Sequence, residues 1–225
     1  MKTEVIIVAA GEGKRFRSNT PKAFALLRNK PLVFHSLNTF QTHSCIHRIR
    51  LVVRKDCLKK AENIVKKYGF HKVKSVVAGG PNRCNSVING LKTIGKDTRY
   101  ILIHDGARPF VTKRLITRVL NGLKKYPAVI PGFAAQDTLK YVNKRKIVEK
   151  TLRRERVFHI QTPQGFRAEV IPLLRKKKGR GKAVYDDSLL VEDKIPVKVV
   201  ESDSSNLKIT RQQDIWLKKS PFPPS

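Results

Sequence analysis

The chain has 225 residues, 40% hydrophobic and 29% charged, which suffices for one large domain or two small ones and excludes wholesale disorder. No stretch approaches the roughly 18 uncharged apolar residues of a membrane span, and three cysteines (Cys45, Cys57, Cys84) without CxxC spacing argue against a disulfide framework or a zinc site. The 48 Lys and Arg against 17 Asp and Glu leave a net charge of +31, which spreads as +13, +11 and +7 over successive thirds instead of gathering into a nucleic-acid-binding arm.

The amino terminus, Met1-Lys2-Thr3-Glu4-Val5, has the features of neither a signal nor a transit peptide. The expectation is a reduced, cytoplasmic protein with no membrane contact. Glu4–Ala9 is an apolar run of buried-strand length. Pro31–Gln41 carries Leu32, Val33, Leu37 and Phe40 on one helical face behind a first-turn proline. Ile49–Val53 reads as a strand, and Asp56–Tyr68 as a helix ended by Gly69. Val73–Ala78 is a third strand, Ser86–Ile94 a helix, and Tyr100–His104 a fourth strand. Thr112 is placed to cap a helix through Leu115, Ile116, Val119, Leu120 and Leu123, before a fifth strand at Ala128–Pro131.

This alternation predicts an α/β fold, a doubly wound and mostly parallel sheet with helices on both faces. Ligands of such folds bind at the carboxyl ends of strands. Between about residues 133 and 161 the rhythm breaks. Thr138–Val142 and Lys146–Leu152 flank Asn143-Lys144-Arg145 and read as an inserted β-hairpin. A helical pattern resumes over Arg167–Arg175, a strand at Val197–Glu201, and a last helix with Thr210 as N-cap and Gln213 as its capping-box partner. One domain over 1–219 is expected, with 137–154 as an arm and 220–225 as a frayed tail. The basic run Arg175–Lys182 reads as a solvated loop.

Three polar loops follow three of these strands. Ala9-Ala10-Gly11-Glu12-Gly13-Lys14-Arg15-Phe16, with Pro21-Lys22 beyond, offers glycines that let the backbone approach phosphates, and cations to meet them. It is not a Walker A loop, and Phe16 stands where a dinucleotide fingerprint needs its third glycine. Ala78-Gly79-Gly80-Pro81-Asn82-Arg83 leads to Ser86. His104-Asp105-Gly106-Ala107-Arg108-Pro109 presents an aspartate able to hold a divalent cation beside a phosphate. Each loop alone is as readily an ordinary turn as a site; their convergence on one sheet edge is the stronger signal.

In these residues the chain resembles the 2-C-methyl-D-erythritol 4-phosphate cytidylyltransferases, from Val5 to about Ile215. The likeness includes AAGEGKRF with PK at 9–22, GGPNRCNSV at 79–87, HDGARPF at 104–110, DTLK at 137–140, QTPQGF at 161–166, DDSLLVE at 186–192 and NLKIT at 206–210. The resemblance implies a Rossmann-like nucleotidyltransferase fold and transfer of a cytidylyl group from CTP to a sugar-alcohol phosphate. It implies that Ala9, Ala10, Gly11 and Gly13 wrap the triphosphate, with Arg15 and Lys22 as its catalytic cations. Gly80 and Ser86 would read the cytosine, and Asp105 would hold Mg2+ and meet substrate hydroxyls beside Arg108. Arg108, Thr138, Arg154, Thr162 and Lys208 would bind the acceptor, with Arg154 and Lys208 also catalytic, and Thr138 and Arg154 reaching in from the neighbouring subunit of a homodimer. Arg153, Ser205 and Tyr185 depart from the family's usual residues without removing a phosphate-binding group. His104 and His159 read as structural hydrogen-bonders.

Two other readings stay open at this stage. A pentitol phosphate such as ribitol 5-phosphate could be the acceptor, although Gly106-Ala107 looks like the isoprenoid branch. The +31 charge alone would suit a nucleic-acid-binding protein, whereas no specific nucleic acid is expected as a partner of the cytidylyltransferase.

Overall fold

β1 (Lys2–Ala9) is a near-continuous apolar run because both of its faces are covered. Val5 and Ile7 enter the core on one side of the sheet, and Ile6 and Val8 the core on the other. The computed structural model describes residues 2–18, 20–175 and 186–216. A small ribbon, β2 (Leu26–Leu27) with β3 (Lys30–Pro31), precedes α1 (Leu32–Gln41). Then come β4 (Arg48–Val53), α2 (Leu58–Lys67), β5 (Val73–Ala78), α3 (Arg83–Leu91), β6 (Thr98–Asp105), α4 (Lys113–Leu123) and β7 (Ala128–Ala134). β8 (Lys140–Val142) pairs with β9 (Val148–Thr151) as a separate two-stranded sheet, the predicted arm. β10 (Phe158–Ile160), β11 (Gln164–Arg167), α5 (Ile171–Arg175), β12 (Val197–Glu201) and α6 (Gln213–Trp216) complete the described elements.

The main sheet runs β10-β7-β11-β6-β1-β4-β5, with β12 also paired to β7. Its β5, β4, β1 and β6 are mutually parallel, whereas β11 is antiparallel to both β6 and β7. One core packs α1, α2 and α4 against the sheet, and the other packs α3 and α5. The mostly parallel, doubly covered sheet is thus the predicted one.

Several boundaries differ from the sequence reading. α3 begins at Arg83 and not at Ser86, because the Asn82 side chain accepts the Asn85 N–H at 2.9 Å and caps the helix. Gln164–Arg167 is a strand, and only Ile171–Arg175 of the predicted Arg167–Arg175 helix is α-helical. Thr210 does not pair with Gln213. The Asp214 carboxylate accepts from the Thr210 N–H and hydroxyl and from the Arg211 N–H, since an ionised acceptor near a helix start outcompetes an amide. Thr112 caps α4 as predicted, accepting the Leu115 N–H at 3.2 Å. The domain limit at 219, the tail 220–225 and residues 176–182 of the basic run lie outside the described residues.

Glu4 ties three strands together from inside the fold. Its fully buried carboxylate accepts from Arg50 at 2.7 Å, Arg48 at 2.9 Å, Thr98 at 2.7 Å and the Gly95 N–H at 3.1 Å. Burial alone would raise its pKa, but Arg50, Thr98 and Arg48 outweigh it and hold the group below its ordinary 4.5. Glu4→Ala leaves two arginines facing a vacancy and should cost about 3–5 kcal/mol in a urea unfolding series. The native stabilisation is complete above the unfolded-state value and lost as pH falls through the lower folded value. Glu4→Gln should therefore flatten that part of the acid-side loss.

Candidate active site

Because β5, β4, β1 and β6 are parallel, their carboxyl ends share one edge, and the register aligns them. Ala9 pairs with Val53, Val53 with Ala78, and Val8 with Asp105. The loops leaving these strands surround a cleft of about 850 Å3.

The first wall is the loop after β1. Gly13 takes φ 69°, a left-handed conformation that turns the chain into a single turn of 3-10 helix at Lys14–Phe16. Phe16, which spoils the dinucleotide fingerprint, is 3% exposed and packs with Leu27, Leu32 and Ile209, anchoring the loop. The second wall is the β5–α3 turn. A Cβ on Gly79 would lie 2.3 Å from the Ala10 Cβ and 2.9 Å from the Ser86 Oγ, so only glycine lets the two loops pack this closely. Ser86 accepts the Gly80 N–H at 3.1 Å and donates to the Asn82 carbonyl at 2.9 Å. Its hydroxyl shapes the turn that lines the cleft.

Asp105, at the end of β6, forms the floor. Its Oδ1 accepts from Arg83 Nε at 2.9 Å and its Oδ2 from Lys208 Nζ at 2.7 Å. Burial pushes this carboxyl up, but Arg83 and then Lys208 overcome that and hold it well below the carboxylate range. Lys22 Nζ donates to the Ile209 carbonyl at 3.2 Å. Its pKa is lowered, first by burial and then by neighbouring Lys208, with Asp105 opposing. Cations held together in this way are a site for an anion that relieves their repulsion.

Behind the floor, His104 is fully buried and neutral, its pKa pushed down to about 4 by burial. Nε2 faces the Arg108 carbonyl at 3.1 Å, so it carries the proton, and Nδ1 accepts from the Thr162 hydroxyl at 3.1 Å. The Thr162 oxygen in turn accepts the Asp105 N–H at 3.1 Å. This is the structural histidine the sequence suggests; His159 instead stacks on Phe133.

Of the residues singled out in the sequence, Ala9, Ala10, Gly11, Gly13, Lys22, Gly80, Ser86, Asp105 and Lys208 line the cleft. Arg15 lies on the turn just past the loop, exposed and near enough to Lys22 to depress its pKa further. Thr162 and Arg108 sit behind Asp105, with Arg108 donating to the Asn206 carbonyl at 2.8 Å. Thr138 and Arg154 belong to the arm and do not line this chain's cleft; Arg154 donates to the Gln136 carbonyl.

Arg83 and Asp187 were overlooked, although both lie in quoted motifs. Arg83 lines the cleft, and its two terminal nitrogens grip Asp187 at 2.9 and 2.8 Å. Burial works to lower the Arg83 pKa, but Asp105 and Asp187 together raise it. A sequence signal existed: an arginine opening a helix opposes the helix dipole and needs carboxylates nearby.

The parallel strand ends, the glycine-lined loop and the cation cluster define a Rossmann-like α/β nucleotidyltransferase fold. The family model for 2-C-methyl-D-erythritol 4-phosphate cytidylyltransferase matches residues 3–220, and the chain belongs to that family. A cytidylyltransferase of that name from Clostridium botulinum is 41% identical over 218 residues, 96% of this chain and 95% of its own. One from Alkaliphilus metalliredigens is 41% identical over 217 residues, 95% of this chain and 90% of its own. The crystal structure of 4-diphosphocytidyl-2C-methyl-D-erythritol synthase from Anaerococcus prevotii is 32% identical, covers 96% of this chain and 95% of its own, and superposes with a TM-score of 0.84.

Because Gly79 is where the two cleft walls meet, Gly79→Ala should lower unfolding free energy by about 1–3 kcal/mol, as overpacked sites do. Denaturant unfolding of the variant beside the native protein checks this.

Proposed function

We propose that this protein transfers the cytidylyl group of CTP to 2-C-methyl-D-erythritol 4-phosphate. The products are 4-(cytidine 5'-diphospho)-2-C-methyl-D-erythritol and pyrophosphate, a step in non-mevalonate isoprenoid precursor synthesis. The observation that carries the reading is the glycine-lined, cationic cleft at the aligned strand ends, in a chain that belongs to this family.

An acceptor phosphate oxygen attacks the α-phosphorus of CTP, the bond from that phosphorus to the bridging oxygen of pyrophosphate breaks, and pyrophosphate leaves in line. Both reactants are anions, so the protein must hold them together and meet charge growing on the α-phosphate oxygens. The 10–13 loop presents backbone N–H groups, and Lys22 and Arg15 supply charge. Lys208, already drawn to Asp105, supports the acceptor. The attacking phosphate is ionised at neutral pH, so no histidine is required as a base.

Asp105 fits a role as a Mg2+ ligand. It is ionised and lines the cleft, and each of its oxygens, taken once by Arg83 or by Lys208, keeps a second lone pair for a cation. A metal here would take one carboxylate and draw its other ligands from phosphate and water, which suits Mg2+. When bound it would neutralise charge on the triphosphate.

The arm supports a homodimer. Tyr141, Val142, Ile147 and Val148 are 43–59% exposed, and an isolated hairpin is marginal in water. A second copy would cover these side chains and receive Thr138 and Arg154 at its own acceptor site. No described helix is long and apolar enough to cross a membrane, and the proposed setting is the cytoplasm, where CTP and a soluble phosphate meet.

Pyrophosphate release with CTP, measured against a panel of sugar-alcohol phosphates that includes ribitol 5-phosphate, tests the reaction; preference for the pentitol would replace the proposed acceptor. Lys22→Ala and Arg15→Ala should each lower kcat/KM by at least about a hundredfold in a folded protein, the usual effect of deleting one preorganised charge-stabilising group. Wild-type turnover by either variant would remove that residue from the mechanism.

Mixing inactive Lys22→Ala and Arg154→Ala proteins under conditions of subunit exchange tests the shared site. A hybrid dimer acting in trans has one doubly damaged site and one intact site, so activity returns. An arm serving its own chain leaves every site damaged, and the mixture stays inactive.

A further inference from the structure

Arg83 stands between two buried carboxylates and divides its donors between them. Nη1 and Nη2 form a fork on Asp187 at 2.9 and 2.8 Å, while Nε alone meets Asp105 at 2.9 Å. Asp187 is 1% exposed, and its backbone is held by Gln164, whose Oε1 accepts the N–H groups of Asp187 and Ser188 at 3.0 and 3.2 Å. Gln164 is itself fully buried on β11, paired in register with Ile103 of β6, two residues before Asp105. A closed path thus leads from β6 through β11, Asp187 and α3 back to the end of β6.

We propose that Arg83 and Asp187 are positioning residues for nucleotidyl transfer, Asp187 holding Arg83 so that Arg83 fixes the orientation of the Asp105 carboxylate. The inference rests on the reading of the cleft as a CTP site. A guanidinium facing a single carboxylate prefers to grip both oxygens. Without Asp187, Arg83 would turn its fork onto Asp105 and draw Oδ2 away from Lys208. With Asp187 present, the fork is occupied and Asp105 is left one oxygen for Arg83 and one for Lys208. Buried ion pairs seldom stabilise a fold more than apolar residues of the same volume would. Such a pair at the floor of a reactive cleft is explained by the geometry it imposes.

The test starts from wild-type turnover with CTP and the acceptor; its absence would overturn the reading of the cleft, and with it this inference. Asp187→Asn is isosteric and retains the backbone hydrogen bonds to Gln164. It should bind CTP in the absence of divalent metal with a calorimetric Kd within about threefold of wild type, while kcat with Mg2+ falls roughly 10- to 100-fold, the range seen when a group supporting a reactive ligand is removed. Arg83→Lys keeps the charge but loses the fork, and should show the same split. The double variant Asp187→Asn with Arg83→Gln should be no slower than Arg83→Gln alone, since the two act along one path. Wild-type kcat in folded Asp187→Asn or Arg83→Lys would overturn the proposal, as would losses that multiply in the double variant. If Asp187→Asn does not fold, the kcat-against-Kd split in Arg83→Lys decides.

Discussion

Asp105 brings a full negative charge to a place from which water is nearly excluded, and such a charge persists only where cations and hydrogen-bond donors meet it. Arg83 and Lys208 each take one oxygen, and the backbone N–H is taken by Thr162, which is oriented in turn by neutral His104. These partners come from α3, from the segment before α6, and from the loop between β10 and β11. One carboxylate at the end of β6 therefore draws together elements that the chain separates by more than a hundred residues, as the Arg83–Asp187 and Asp105–Lys208 pairs show.

The cleft above it is a consequence of parallel pairing. Parallel strands put all their carboxyl ends on one side, and each must be followed by a loop that reverses the chain. Where those loops consist of Ala and Gly, the backbone itself is the lining, and its N–H groups lie within reach of a phosphate. Two large side chains make this possible, Phe16 from outside the cleft and Arg83 from its wall. Phe16 plugs the loop into the small core under Leu27 and Leu32, and the Arg83 side chain spans the gap beneath the second loop.

The large surplus of positive charge has a simpler distribution than its size suggests. On α2, Ala61 and Ile64 are buried while Lys59, Lys60, Lys66 and Lys67 face solvent; on α4, Leu115 and Ile116 are buried while Lys113 and Arg114 are exposed. Helices that cover a doubly buried sheet show only their outer faces, and on α2 and α4 those faces are basic. Among the described residues, Arg48 and Arg50 turn inward onto Glu4, Arg83 and Lys208 onto Asp105, and Lys22 and Arg108 onto backbone carbonyls.

Local pattern determined much of this protein. Apolar strand runs, helical faces, the Thr112 cap and the interrupted rhythm at the arm each depend on residues a few positions apart, and apart from the bounds of α3 and the Arg167–Val170 stretch the structure places them where the periodicity does. The three loops were legible because strand-loop-helix order dictates which end of a strand a loop occupies. The short strands β10 and β11 were not, because three or four residues carry too little periodicity, and β11 exists only because β6 and β7 leave a slot between them. The start of α3 moved because the Asn82 side chain, not helical periodicity, caps it. Ser86 and Thr162 could be named from the sequence, but their hydroxyls are committed to the turn and to Asp105 by neighbours 4 and 57 residues away. Which carboxylates meet Arg83 was out of reach for the same reason: the two, 22 and 104 residues along the chain, become its neighbours only when the sheet closes and removes the water that would otherwise have solvated all three charges.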